Sequence, residues 1–422
     1  MSQYRNSRSA LLSSTLGLFL IVALLGVTPT VASHFNLART ENLARDYWPT
    51  SEWRTATPES QAMDSEKLND MIEYIEEQNF NLHSVIVIRH GYIVLEEYFG
   101  GIYTSTMLHM IQSCTKSFTS TLIGIALHAG FIDNVSQKMV DFFPTRTIAN
   151  LDSRKMNITL EHMLTMSEGM YWTELEYPYT DERNTLRQMW YSYDAIQHIL
   201  DQPMERDPGV SFHYNSGMSI LLGAIIEQMT GQDVTSFAED YLFGPIGIDD
   251  YIWASMQRSG VLHTDGGLYL TPRDMARLGY LFLNNGTWNG MEIVSPEWVA
   301  EATRSNYITP WWYGYGYQWW TIPTFGVYCA TGHYEQKIYV APEKDLVVVF
   351  TADIADEDEH PTDSLLLSFI LPAALEDVVS VGQNEMFIQT VLTIAVVTAL
   401  MSPVVVAGGY WLIKKKNILR SV

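Results

Sequence analysis

Cysteine is almost missing from this chain: Cys114 and Cys329 are the two in 422 residues. Two thiols cannot build a disulfide framework, so the core must hold the fold by itself. One bridge between them in an oxidising compartment stays open, and so does plain packing of Cys114. Cations are scarce too, with 25 Lys plus Arg against 48 Asp plus Glu and a net charge of −23. Six of those cations (Arg5, Arg8, Lys414, Lys415, Lys416 and Arg420) lie near the two ends, which leaves 19 against 48 between them. Such a surface repels nucleic acid and anionic lipid, so no nucleic-acid partner is expected. It reads as a solubilising exterior and names no substrate. The 11 histidines show no His-x-His or His-Glu-x-x-His spacing, and no glycine-rich phosphate loop is present. Neither a metal nor another cofactor is therefore expected.

Both ends are apolar. Residues 15–27 follow two arginines and precede Thr30-Val31-Ala32-Ser33, the pattern of a signal peptide over residues 1–33, with an uncleaved N-terminal anchor as the alternative. Residues 386–413 run for 28 positions without a charge, enough at ~1.5 Å per residue to cross a ~30 Å hydrocarbon core. Trp411 sits at the edge of this run, and the short basic tail 414–422 follows it. The sequence thus predicts a C-terminal transmembrane helix and a cytoplasmic C-terminus. The intervening domain, residues 48–378, is expected outside the cell, held at the cell membrane through that helix. The sequons at Asn134, Asn157 and Asn285 are compatible with export.

Within residues 48–378 no repeat, low-complexity stretch or dividing linker stands out. Asp64-Ser65 opens a helical pattern with Leu68, Met71, Ile72 and Ile75 on one face. Residues 85–88 and 92–95 flank His90-Gly91 and read as a β-hairpin. Two further strand-like runs, 337–340 and 346–350, are separated by Ala341-Pro342-Glu343-Lys344-Asp345. Strands at both ends with helices between them predict an α+β fold, one antiparallel sheet closed by distant segments.

Two groups of residues could carry chemistry. In Ser113-Cys114-Thr115-Lys116 the serine and lysine are three apart, so on a helix they share a face. A serine in a helix's first turn also has a backbone N–H to offer a developing oxyanion. A neutral lysine amine could take the hydroxyl proton if burial lowers its pKa. The motif is short enough to arise by chance, but the apolar positions Phe118, Leu122, Ile123, Ile125 and Ala126 would hold it on a buried helix. Tyr214 follows the turn Asp207-Pro208-Gly209 and precedes the apolar run 220–229, ended by Gly231. A tyrosine at such a junction could be a general base if cations favour its phenolate; alone, it reads as an ordinary half-buried aromatic.

Ser113-Cys114-Thr115-Lys116-Ser117-Phe118-Thr119-Ser120 followed by Tyr214-Asn215-Ser216-Gly217 resembles the serine beta-lactamase and penicillin-binding-protein superfamily, most closely its class C-like branch. The likeness spans roughly residues 50 to 355. It includes Leu164-Thr165-Met166-Ser167-Glu168-Gly169-Met170, the stretch 266–275 beginning Gly266-Gly267, and Gly314-Tyr315-Gly316-Tyr317-Gln318-Trp319-Trp320. It implies an antiparallel sheet flanked by helices, with a mostly helical subdomain and the active site between them. Ser113 would be acylated, and Lys116 and Tyr214 would shuttle its proton. The substrate would be a small-molecule or peptide-like ester or amide.

Two departures bear on substrate binding. The tyrosine motif places Asn215 directly after Tyr214, with Ser216 in the usual amide position. The third motif reads Thr331-Gly332-His333-Tyr334-Glu335-Gln336, with tyrosine and glutamate in place of two glycines and no preceding cation. Asn215, Ser216, His333, Tyr334 and Glu335 are the candidate substrate-binding residues. Tyr334 and Glu335 should narrow the cleft and add negative charge beside the oxyanion. The missing cation argues against a D-Ala-D-Ala carboxypeptidase or beta-lactamase, the sibling reading. A catalytically silent ligand-binding ectodomain of the same fold is the alternative from another class. Tyr171, Trp172, Trp190, Trp311 and Trp312 could line the pocket and are assigned no chemistry.

Overall fold

The computed structural model describes residues 45–309, 313–355 and 360–375. Both apolar ends, Trp311 and Trp312 lie outside the described residues. Among the described residues no helix is long and apolar enough to cross a membrane.

Eight strands form the main sheet: β1 (Leu82–Arg89), β2 (Tyr92–Tyr98), β3 (Tyr307–Ile308), β4 (Gly314–Tyr315), β5 (Trp320–Ile322), β6 (Val327–Gly332), β7 (Gln336–Ala341) and β8 (Leu346–Ala352). Their spatial order is β2-β1-β8-β7-β6-β5-β4-β3, and each neighbouring pair is antiparallel. The β1–β2 hairpin turns on His90 and Gly91, both at positive φ, as a two-residue turn that matches strand twist requires. β1 then pairs with β8, from Arg89 opposite Leu346 to Leu82 opposite Ala352, so segments distant in sequence close the sheet as expected.

Both faces of the sheet are covered. On one side Val85, Val87, Cys329, Tyr339, Val348 and Phe350 pack with Leu68, Met71 and Ile75 of helix α1 (Ser65–Gln78), which Asp64 caps by accepting from Lys67 N–H. On the other, Ile86, Ile88, Ala330, Ile338, Val340, Val347 and Val349 join a larger core. That core holds α2 (Thr115–His128), α3 (Ser216–Thr230) and α4 (Pro272–Leu283). A Cβ at Gly279 of α4 would fall 2.7 Å from Val347 and 2.9 Å from Ile338, so glycine sets how closely this helix lies on the strands. Two-sided burial explains why β1 and β8 read as continuous apolar runs rather than alternating ones.

The motifs separated in sequence converge on α2. Its Thr119, Ser117 and Ser120 hydroxyls donate to the carbonyls of Thr264, Gln318 and Tyr317 at 2.7, 2.8 and 2.7 Å. Gln318 in turn accepts from Ser219 of α3 at 2.6 Å. A helix this rich in hydroxyls can be fully buried because its neighbours supply carbonyl acceptors. Cys114 and Cys329 are free, buried thiols, and Cys114 Sγ donates to the Gln336 carbonyl.

Candidate active site

Ser113 lies in a single tight turn (Gln112–Cys114) that runs straight into α2. The turn is sharp: Gln112 adopts φ +51°, a left-handed conformation that non-glycine residues rarely hold. Lys116, in the first turn of α2 and buried, donates from Nζ to Ser113 Oγ at 2.9 Å and to the Asp265 carbonyl at 2.6 Å. Tyr214 lines the same cleft as Ser113, and the Lys116 ammonium lies 5.2 Å from the centre of its ring. The structure therefore brings Ser113, Lys116 and Tyr214 together from three chain positions.

Electrostatics divide the proton-handling roles. Burial lowers the Lys116 pKa, against the opposing pull of Asp265 and Glu174. Burial, with Glu174 and Asp265 behind it, pushes the Tyr214 phenol far up. Acids rather than cations thus act on the phenol and disfavour a phenolate, while burial disfavours the Lys116 ammonium.

Asn215 and Ser216 face inward. Asn215 caps α3: its Oδ1 accepts from Gly217 N–H at 2.9 Å and its Nδ2 donates to Glu168 at 2.8 Å. Ser216 donates its hydroxyl to Glu174 Oε1 at 2.7 Å and its backbone N–H to Glu174 Oε2 at 2.8 Å. Glu174 also accepts from Trp172 Nε1 at 2.8 Å, which takes Trp172 into the core rather than the pocket. Glu174 and Asp265 are the site residues the sequence reading passed over.

The cleft above Ser113 encloses about 360 Å³ and is walled by Leu175, Tyr179, Tyr313, Trp320 and the Thr331–Glu335 segment. β6 passes so close to Ser113 that a Cβ on Gly332 would sit 2.4 Å from Ile111 O and 3.1 Å from Ser113 N. Beyond it the chain keeps a glycine-like path without glycine: Tyr334 and Glu335 have φ of +60° and +64°. His333 packs edge-on against Tyr179, and Tyr334 is 37% exposed over the cleft. Glu335 does not stand free beside the nucleophile, contrary to the expected added charge. It is buried and accepts from His360 Nδ1, Thr362 N–H and Thr362 Oγ1, with Lys337 Nζ 3.6 Å away.

The family profile described as Beta-lactamase matches residues 69–368. The 6-aminohexanoate-dimer hydrolase of Paenarthrobacter ureafaciens is 23% identical over 306 residues, covering 69% of this chain and 77% of that protein. Among solved structures, an octameric penicillin-binding protein homologue from Pyrococcus abyssi superposes with a TM-score of 0.57 at 19% identity, over 74% of this chain and 78% of that one. A family VIII carboxylesterase superposes with a TM-score of 0.60 at 14% identity, over 76% of this chain and 99% of that one. With the profile spanning most of the chain and the fold shared, this protein belongs to the beta-lactamase family of serine hydrolases.

Proposed function

We propose that this protein hydrolyses an ester or amide through a covalent acyl-enzyme on Ser113. The observation that carries the reading is the 2.9 Å contact from Lys116 Nζ to Ser113 Oγ, with Tyr214 lining the same cleft. A Lys116 amine takes the Ser113 proton as Oγ attacks the substrate carbonyl carbon. The oxyanion forms in the gap between the Ser113 turn and the Gly332–His333 segment, where backbone N–H groups can meet it. Tyr214 gives a proton to the leaving alcohol or amine as its bond to the acyl carbon breaks, and the Lys116 ammonium returns one to the phenolate, restoring both groups. Water then attacks the Ser113 ester, releases the acid and restores the hydroxyl. The names of similar proteins agree with hydrolysis, one being a 6-aminohexanoate-dimer hydrolase and another a carboxylesterase.

The same reading places the domain outside the cell, tethered by the uncharged run 386–413 with the basic tail inside; its support is the sequence pattern alone. Protease protection of a C-terminal epitope in intact cells tests that orientation. For the chemistry, the purified full-length protein is treated with a fluorophosphonate beside Ser113→Ala. Covalent labelling at Ser113, lost in the variant, is expected. An unlabelled wild type would instead favour the silent ligand-binding fold. Comparing p-nitrophenyl esters, peptide amides and a penicillin then separates the substrate classes.

A further inference from the structure

The segment His263-Thr264-Asp265 lies along the buried helix α2 and meets it through two carbonyls. Thr264 O accepts from Thr119 Oγ1 at 2.7 Å, and Asp265 O accepts from Lys116 Nζ at 2.6 Å. Lys116 thus bonds the backbone of Asp265, while the carboxylate of the same residue acts on its ammonium through space. That carboxylate is buried, with 3% of the residue exposed, and needs donors of its own. One is His263, whose Nδ1 lies 3.2 Å from Asp265 Oδ1. An ionised carboxylate only accepts, so Nδ1 carries the hydrogen and donates.

Backbone contacts and packing fix His263 independently of charge. Its N–H donates to the Ala254 carbonyl at 2.9 Å, and its carbonyl accepts from Trp253 Nε1 at 3.0 Å and from Gly267 N–H at 2.9 Å. A Cβ on Gly267 would fall 2.3 Å from the His263 Cβ, so the glycine leaves room for the imidazole's attachment. The ring packs edge-on against Trp190, which lies against Tyr179 in the cleft wall. Among the described residues, Asp265 faces His263, and His263, Lys116 and Tyr214 face Asp265. Asp265, Glu174, Cys114 and Tyr214 face Lys116. Burial disfavours the Asp265 carboxylate, and His263 is the strongest influence opposing it. Burial likewise disfavours the Lys116 ammonium, and Asp265 is the strongest influence opposing that. A carboxylate that shares its charge with an imidazole donor holds the ammonium less firmly than one that faces it alone.

We propose that His263 is a positioning residue for Lys116: by engaging one oxygen of Asp265, it limits the pull of that carboxylate on the ammonium and so frees the amine that accepts the Ser113 proton. The last step rests on the hydrolase reading above; the effect on Lys116 ionisation does not.

The test therefore needs no turnover. Full-length protein with isotope-labelled lysine Cε is titrated with pH by NMR, the Lys116 signal being assigned by its loss in Lys116→Met. His263→Phe keeps a ring against Trp190 but removes the donor, and the Lys116 midpoint is expected to rise by about one pH unit. His263→Gln, which can still donate, should move it by less. Asp265→Asn should lower it by about one pH unit, and adding His263→Phe to Asp265→Asn should move it no further. Circular dichroism checks each fold, and His263→Leu, also without a donor, stands in for His263→Phe if the larger ring unfolds the protein. A midpoint unchanged in His263→Phe or in Asp265→Asn would overturn the proposal. So would a His263→Phe shift that persists beside Asp265→Asn, or one matched in full by His263→Gln. Absence of a Ser113 adduct with the fluorophosphonate would sink the hydrolase reading and leave the Lys116 result standing.

Discussion

Glu174 holds Ser216 by both its backbone N–H and its hydroxyl, at 2.8 and 2.7 Å, and so fixes the start of α3 two residues after Tyr214. Burial pushes the Glu174 carboxyl up, opposed by Lys116, by Ser216 and by Trp172 Nε1 as its third donor, all of which favour the ionised form. Its charge reaches Lys116 and Tyr214 alike. Glu174→Gln preserves shape while removing that charge, so the Lys116 ammonium loses a stabilising partner and its pKa falls. The rising limb of kcat/KM against pH should move down by about one pH unit. A limb that stays in place would show that Glu174 only supports the helix.

Gly332 is required by space rather than by conformation. A methyl group there would meet Ile111 O at 2.4 Å and crowd the Ser113 backbone N–H. Gly332→Ala should cost about 1–3 kcal/mol of stability, as overpacking does. It should also slow fluorophosphonate labelling of Ser113 by about 100-fold, since small misplacements of reacting groups are that expensive. Denaturant titration and labelling rates measure the two effects separately.

Tyr334 keeps a left-handed backbone that glycine would adopt without cost. Tyr334→Gly should be more stable than Tyr334→Ala by about 1 kcal/mol, because both lose the ring and only alanine keeps the Cβ penalty. Equal denaturation midpoints for the two variants would contradict this. Glycine should also widen the cleft and lower KM for bulkier esters.

Glu168 provides a pH signature. Burial pushes its pKa up to about 7, against the Asn215 hydrogen bond, and its Oε2 has no hydrogen-bond partner among the described residues. In the unfolded chain the carboxyl ionises near its ordinary value, so between about pH 4.5 and 7 the folded state holds a proton that the unfolded state has lost. Its contribution is present below that window and disappears as pH rises through it. Glu168→Gln should remove the dependence, gaining on the order of 3 kcal/mol relative to wild type between pH 5 and pH 8. Thermal or urea unfolding at the two pH values checks the sign.

Much of this architecture is visible in local pattern. His90-Gly91 marks the first hairpin, the 3.6-residue period after Asp64 marks α1, and the strands on either side of residues 342–345 mark the far end of the sheet. The three-residue spacing of Ser113 and Lys116 likewise brings their side chains into contact once the helix forms. Asn215 and Ser216 were harder to place. Sequence gives their position after Tyr214 but not the buried acids, Glu168 and Glu174, that turn both inward. Glu335 shows the same difficulty: as a letter it adds a charge to the cleft, yet Thr362 and His360, distant in sequence, draw it into a network.

The sequence by itself determined α1, the β1–β2 hairpin, β7 and β8, the Ser113–Lys116 pair and the family, because each rests on short-range spacing or on motifs in order, whereas the stretch that forms β3 to β6 reads as helical or looped. Tertiary structure alone decided how the charges are used. The pKa of a carboxylate or an ammonium depends on burial and on neighbours tens to hundreds of residues away. Only folding sets Asp265 against Lys116, Glu174 against Ser216, and Lys337 across from Thr331 in the floor of the cleft.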